Sequence, residues 1–183
     1  MYLIANGYFK TRAVRAAAAA AALLALSACV ESEAPLLTDN KPLLGDQIRL
    51  QLYSLRGGLA HEPQSGTFHW KGDRYVNAGG FKDVHPFTLH AFEGADLIAQ
   101  SLTKDKKIEY GLVRKLAGGV FLVIPIDQDD ADTATRDKFC HKSVAADCRV
   151  ETKDELFALA RATAAKPHDH GGLAIQLKPK PRS

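Results

Sequence analysis

Two imidazoles one residue apart are the most suggestive chemical feature of this 183-residue chain. In His168-Asp169-His170-Gly171-Gly172 an extended backbone would let both rings reach one metal ion, and the glycines would permit a close turn. They supply two ligands, so a third would have to come from His61, His85 or His90. The competing reading is an exposed turn between two elements, which the frequency of such short motifs favours. Asp127, Asp129, Asp130 and Asp132 form a second polar group. Counting an EF-hand loop from Asp127, however, puts Ala131 at the fifth place, Asp132 where the turn needs Gly and Lys138 where a bidentate Glu belongs. A solvated acidic loop is expected there, with a weak surface calcium site as the alternative. The sequence has no Gly-x-Ser-x-Gly and no phosphate-cradling Gly-Lys-Ser/Thr loop, and His61-Glu62 runs into Pro63 instead of framing a helical Glu. No catalytic residue is assigned, and no cofactor beyond that metal ion is expected.

The remaining chemistry lies in the cysteines, and the first follows a distinctive leader. Residues 1–28 contain Lys10, Arg12 and Arg15 and no acidic residue, and Ala16 to Leu26 is an uninterrupted apolar run. Eleven residues are too few to span a bilayer, which takes about 20. A buried Ala-rich helix would show polar residues on one side, and this run has none. A positive flank, a short apolar stretch and small residues at its end form an export signal that is removed. Leu26-Ser27-Ala28-Cys29 resembles the lipobox of bacterial lipoproteins. That resemblance implies cleavage before Cys29, a diacylglyceryl group on its sulfur and acylation of its new amino group. Cleavage after Ser27 by an ordinary signal peptidase is the alternative, and it leaves Cys29 unexplained. Val30, rather than Asp, follows the cysteine, which by the same resemblance implies the outer membrane. Two or three acyl chains, at about 0.8 kcal/mol per buried methylene, make a lasting anchor.

With Cys29 lipidated and the chain exported, Cys140 and Cys148 remain in an oxidising compartment, where a disulfide is the default. It would close a nine-residue loop, for roughly 2.5 kcal/mol in the chain-entropy model. A Cys/His metal site using His141 matches no familiar zinc spacing, and a reactive dithiol would have two residues between its sulfurs.

Removing the leader also changes the charge. The whole chain carries 24 basic and 21 acidic residues, and residues 29–183 carry 21 of each. A neutral body has no overall field to gather nucleic acid or an anionic bilayer, so both lose their main electrostatic support and no nucleic-acid partner is expected. With 46% apolar, 25% charged and 8% aromatic residues the composition is that of a globular protein.

These residues must be positioned by a body whose pattern is largely of period two. Residues 29–46 read as a lipidated terminus and flexible tether reaching roughly 20 Å, although Pro35-Leu36-Leu37 and Pro42-Leu43-Leu44 could dock and shorten it. Residues 47–178 read as one β-rich domain and 179–183 as a flexible tail. Ile48, Leu50 and Leu52 alternate with Arg49, Gln51 and Tyr53. Three hairpins are then predicted: 67–70 with 74–76 around Gly72, 87–92 with 96–102 around Gly94, and 107–113 with 120–126 around Gly118-Gly119. Val120 to Ile126 is apolar on both faces, which predicts a central strand with a cover. The cover is expected to be a helix opened by the capping box Thr152-Lys153-Asp154-Glu155 and ended by Pro167, followed by a strand at 173–177. The fold class is α+β, mainly β: an antiparallel meander or small barrel with one C-terminal helix packed against it. Trp70, Tyr75, Phe87 and Phe92 are expected to fill the core rather than line a ligand cavity.

The expected function is that of a lipid-anchored cell-envelope protein with its body in the periplasm, held to membrane lipid through Cys29. It would act as an interaction or assembly component with an envelope protein or peptidoglycan as partner. A periplasmic metal- or small-ligand-binding module is the alternative.

Overall fold

Alternation of apolar and polar residues puts one side of each strand in a common interior, and short Gly-centred turns force neighbours to run antiparallel. A computed structural model describes residues 30–56, 59–60, 63–82, 84–142, 148–168 and 171–178. Eight of its strands close a barrel: β2 (Gln47–Arg56), β4 (Gln64–Lys71), β5 (Arg74–Gly79), β6 (Phe87–Ala91), β7 (Leu97–Leu102), β8 (Ile108–Lys115), β9 (Val120–Pro125) and β12 (Gly171–Gln176). Each pairs antiparallel with the next, and β12 closes the ring by lying between β9 and β2. The seams are unequal. Six residue pairs join β2 to β4, whereas Tyr75 with Phe87 is the single pair joining β5 to β6.

Four short strands sit outside the ring. A β3 strand (Leu59–Ala60) folds back on β2, and β10 (His141–Lys142) pairs with β11 (Cys148–Arg149). The β1 strand (Val30–Ser32) lies between β11, parallel, and the start of β8, antiparallel. Residues 30–46 are therefore not the expected free tether. Val30 and Leu37 are buried and Leu36 packs beside them on the outer face of the sheet, which presents apolar and hydrogen-bonding groups that need a cover, while Leu43 and Leu44 pack against the residues that fill the barrel lumen.

Two cores share one wall. Inward residues of the barrel, including Ile48, Leu50, Phe68, Leu89, Phe121 and Val123, fill the lumen. Outward residues of β7–β9, including Ile98, Tyr110, Leu112 and Ile124, pack against β1, β11 and the helix α2 (Lys153–Ala164). The two-faced run 120–126 is thus a strand buried on both sides. Thr152 accepts from the Glu155 N–H and the Glu155 carboxylate accepts from the Thr152 N–H, completing the capping box. Leu156, Leu159, Ala160 and Thr163 form the buried face of α2, and Arg114 donates to the Ala164 carbonyl at its C-terminus (2.9 Å). A second helix, α1 (Thr133–Phe139), adds to the single one expected. Its N-cap is Asp132, whose carboxylate accepts from Thr135 N–H at 2.7 Å. No helix among the described residues is long and apolar enough to cross a membrane.

Gly66 marks a close approach between the barrel strand β4 and Phe81. A Cβ there would lie 2.3 Å from the Phe81 ring and 2.7 Å from the Gly79 carbonyl oxygen. Gly66→Ala is expected to lower the unfolding free energy by about 1–3 kcal/mol, read as a lower urea midpoint. An unchanged midpoint would mean that Phe81 does not pack there.

Candidate functional site

Cys29 lies outside the described residues, so the site is built from its neighbour. Val30 is fully buried and has Cys148 as its register partner, while Glu31 lies across from Arg149 on one side and Glu109 on the other. Val150 N–H donates to the Glu31 carbonyl at 2.9 Å. The largely buried Glu31 carboxylate pairs with Lys107 Nζ at 2.7 Å, which offsets part of the cost of placing a charge there.

Hydrogen bonds then hold the segment down as a strap. Leu36 N–H donates to Tyr110 Oη (3.3 Å), Tyr110 Oη lies 2.6 Å from Ser32 Oγ, and that hydroxyl donates to the Ala34 carbonyl (2.6 Å). With the Ser32 hydrogen so used, Tyr110 donates to Ser32. Burial pushes the Tyr110 phenol above its ordinary pKa. Gln100 acts as a substitute strand: its Oε1 accepts from Leu37 N–H and its Nε2 donates to the Leu37 carbonyl, both at 3.1 Å. At the far end Leu44 N–H donates to Tyr75 Oη (3.0 Å), which donates to the Gly45 carbonyl (3.1 Å). Beneath the strap Thr88 and His90 are buried side by side, with Thr88 Oγ1 2.7 Å from His90 Nε2.

Cys140 and Cys148 are joined, with their sulfurs 2.05 Å apart. The bond ties β11, one flank of β1, to the end of α1. His141 bonds Glu155 Oε1 at 3.2 Å, linking this hairpin to the cap of α2. Burial opposes ionisation of Glu155, but bonds from Glu151 N–H, His141 and Thr152 N–H outweigh it and hold the carboxyl below its usual range.

The described candidate histidines, His85, His90 and His168, do not converge. His168 Nε2 lies 2.7 Å from the Thr163 carbonyl oxygen at the end of α2, His85 lines the lumen and His90 lies under the strap. His170 and His61 lie outside the described residues. Among the described residues no group of three or more His, Cys, Asp or Glu could hold a metal ion. Two of the clustered aspartates, Asp127 and Asp132, cap short helices, the local role that carboxylates play at amide-rich helix starts.

The barrel lumen holds a cavity of about 80 Å³ whose walls are apolar apart from His85 and Ser101. Ligand pockets commonly measure about 300–1,000 Å³, so side chains occupy most of this interior. Tyr75 and Phe87 stack at 5.3 Å, Trp70 packs edge-on against Tyr75 at 4.9 Å, and Phe92 meets Phe157 of α2 in the other core. The strap contacts of Gln100 and Tyr110 carried no sequence signal, since nothing local distinguishes an outward glutamine that will meet a distant peptide. Compared with protein-family models, curated proteins and solved structures, the chain finds no match.

His90 gives the strap a pH dependence. Burial lowers its pKa below 6.5; the Asp39 carboxylate, in the strap, raises it and Lys153 of α2 lowers it, with burial the largest effect. A depressed folded-state pKa means that the unfolded chain binds the proton more readily. The contribution to stability is complete above pH 6.5 and is lost as pH falls from there through the folded value. The melting temperature is expected to drop between about pH 7 and pH 5, and His90→Gln to flatten that slope. A slope unchanged in His90→Gln would assign it to other groups.

Proposed function

We propose that this is a lipid-anchored cell-envelope protein whose barrel is a rigid module that works by contact with an envelope partner. The observation that carries the reading is the position of Cys29: it ends a positively flanked apolar leader, completes Leu26-Ser27-Ala28-Cys29 and directly precedes the first buried strand residue. By the lipobox resemblance the anchored cysteine holds the body in the periplasm, with the outer membrane as the favoured address. A small, largely filled lumen supports interaction over small-molecule chemistry, and the balanced charge of residues 29–183 fits a protein or peptidoglycan partner better than nucleic acid. A second reading, capture of a small apolar ligand, is favoured by the cavity itself, whose walls are apolar apart from His85 and Ser101.

Cys29→Ala is expected to abolish fatty-acid incorporation in cells and to leave uncleaved precursor; unchanged labelling would defeat the anchor. In-cell crosslinking of the wild type should recover an envelope protein or cell-wall fragment. If it recovers neither, and native mass spectrometry instead finds a small apolar molecule that raises the melting temperature, the second reading replaces the first.

A further inference from the structure

We propose that the barrel stands directly on the lipid surface with no spacer, and that the disulfide-closed hairpin β10–β11 is the clasp that keeps it there. This inference rests on Cys29 being the acylated residue. Acyl chains on Cys29 would be held in the bilayer by their buried methylenes, which fixes that residue at headgroup depth. One residue of chain, at most about 3.6 Å, separates it from Val30. Val30 is fully buried and is paired into the sheet. The residue next to the anchor is therefore interior, and the body cannot stand off. Were residues 30–46 free, the same chain would let the barrel roam roughly 20 Å from the bilayer. The edge carrying β1, β10 and β11 consequently faces the headgroups.

What holds β1 is slight on either side alone. It has two register pairs with β8, because β9 takes the rest of that edge from Gly111 to Lys115. It has two more with β11, a strand of two residues that would not persist unaided. Cys148 is both the register partner of Val30 and one half of the disulfide. The covalent bond thus acts on the residue that lies against the anchor's neighbour, and the strap bonds of Ser32, Leu36 and Leu37 continue the attachment.

The test uses the full acylated protein in phosphatidylethanolamine/phosphatidylglycerol vesicles containing a dansyl-headgroup lipid. Trp70, the only tryptophan, is the energy donor. Ten Gly/Ser residues inserted between Cys29 and Val30 would add a spacer of about 17 Å, and transfer is expected to fall about twofold or more. Amides of Val30 to Ser32 should be protected from hydrogen exchange in the wild type, and Cys140→Ser/Cys148→Ser should raise their exchange at least about tenfold while the barrel strands stay protected. Transfer indifferent to the insertion, or freely exchanging Val30 to Ser32 in the wild type, overturns direct seating. Unchanged exchange in the double variant overturns the clasp. Mass spectrometry finding Cys29 bare overturns the anchor reading and the seating with it, whereas acylated Cys29 with indifferent transfer overturns this inference alone.

Discussion

One edge of β8 serves two partners, and the rest of the molecule is arranged around that division. Its second half, Gly111 to Lys115, closes the barrel against β9, and its first two residues receive β1. Backbone donors and acceptors that lie inside a protein must be paired, so the place where β9 leaves is the place where another strand has to take over. β1 fills that position, and its outer edge in turn takes β11. The N-terminal segment thereby becomes a structural part of the sheet, which explains why a stretch with no sustained periodicity is bound along its length.

The shared wall of β8 and β9 links the two cores. Phe121 and Val123 face the lumen while Leu122 and Ile124 contribute to the packing beneath α2. Neither core can loosen without shifting the strands that bound the other, since close-packed interiors transmit displacement rather than absorb it. Arg114 reinforces this connection, for it pairs with Asp96 at the β6–β7 turn and donates to the last turn of α2.

The barrel strands were legible because their signals are local. Period-two alternation located β2, Gly-centred turns located the hairpins, and the apolar run at 120–126 announced a strand with two buried faces. Thr152 and Glu155 marked the start of α2 through bonds made within one helical turn. What escaped was set by distant partners. β1 has three residues and pairs with segments more than 70 positions away, while β10 and β11 have two residues each, too few for any period to show. Asp132 was read as part of a solvated acidic loop and is a helix cap, a role set by the helix that follows it rather than by the aspartates around it. The Pro-Leu-Leu pieces at 35–37 and 42–44 did carry a signal, as apolar side chains in a segment otherwise fit for solvent.

The closing strand carries a consequence for how the chain assembles. β12 pairs with β2 across more than a hundred intervening residues, Gly171 meeting Leu55. A polypeptide emerging N-terminus first can zip its hairpins in order, yet the ring stays unsealed until β12 arrives. In that interval β2 and β9 both offer bare lateral amides and carbonyls, the surfaces on which chains misassociate. High contact order makes this closure slow, so the growing molecule is most exposed to stray pairing while β2 and β9 await β12.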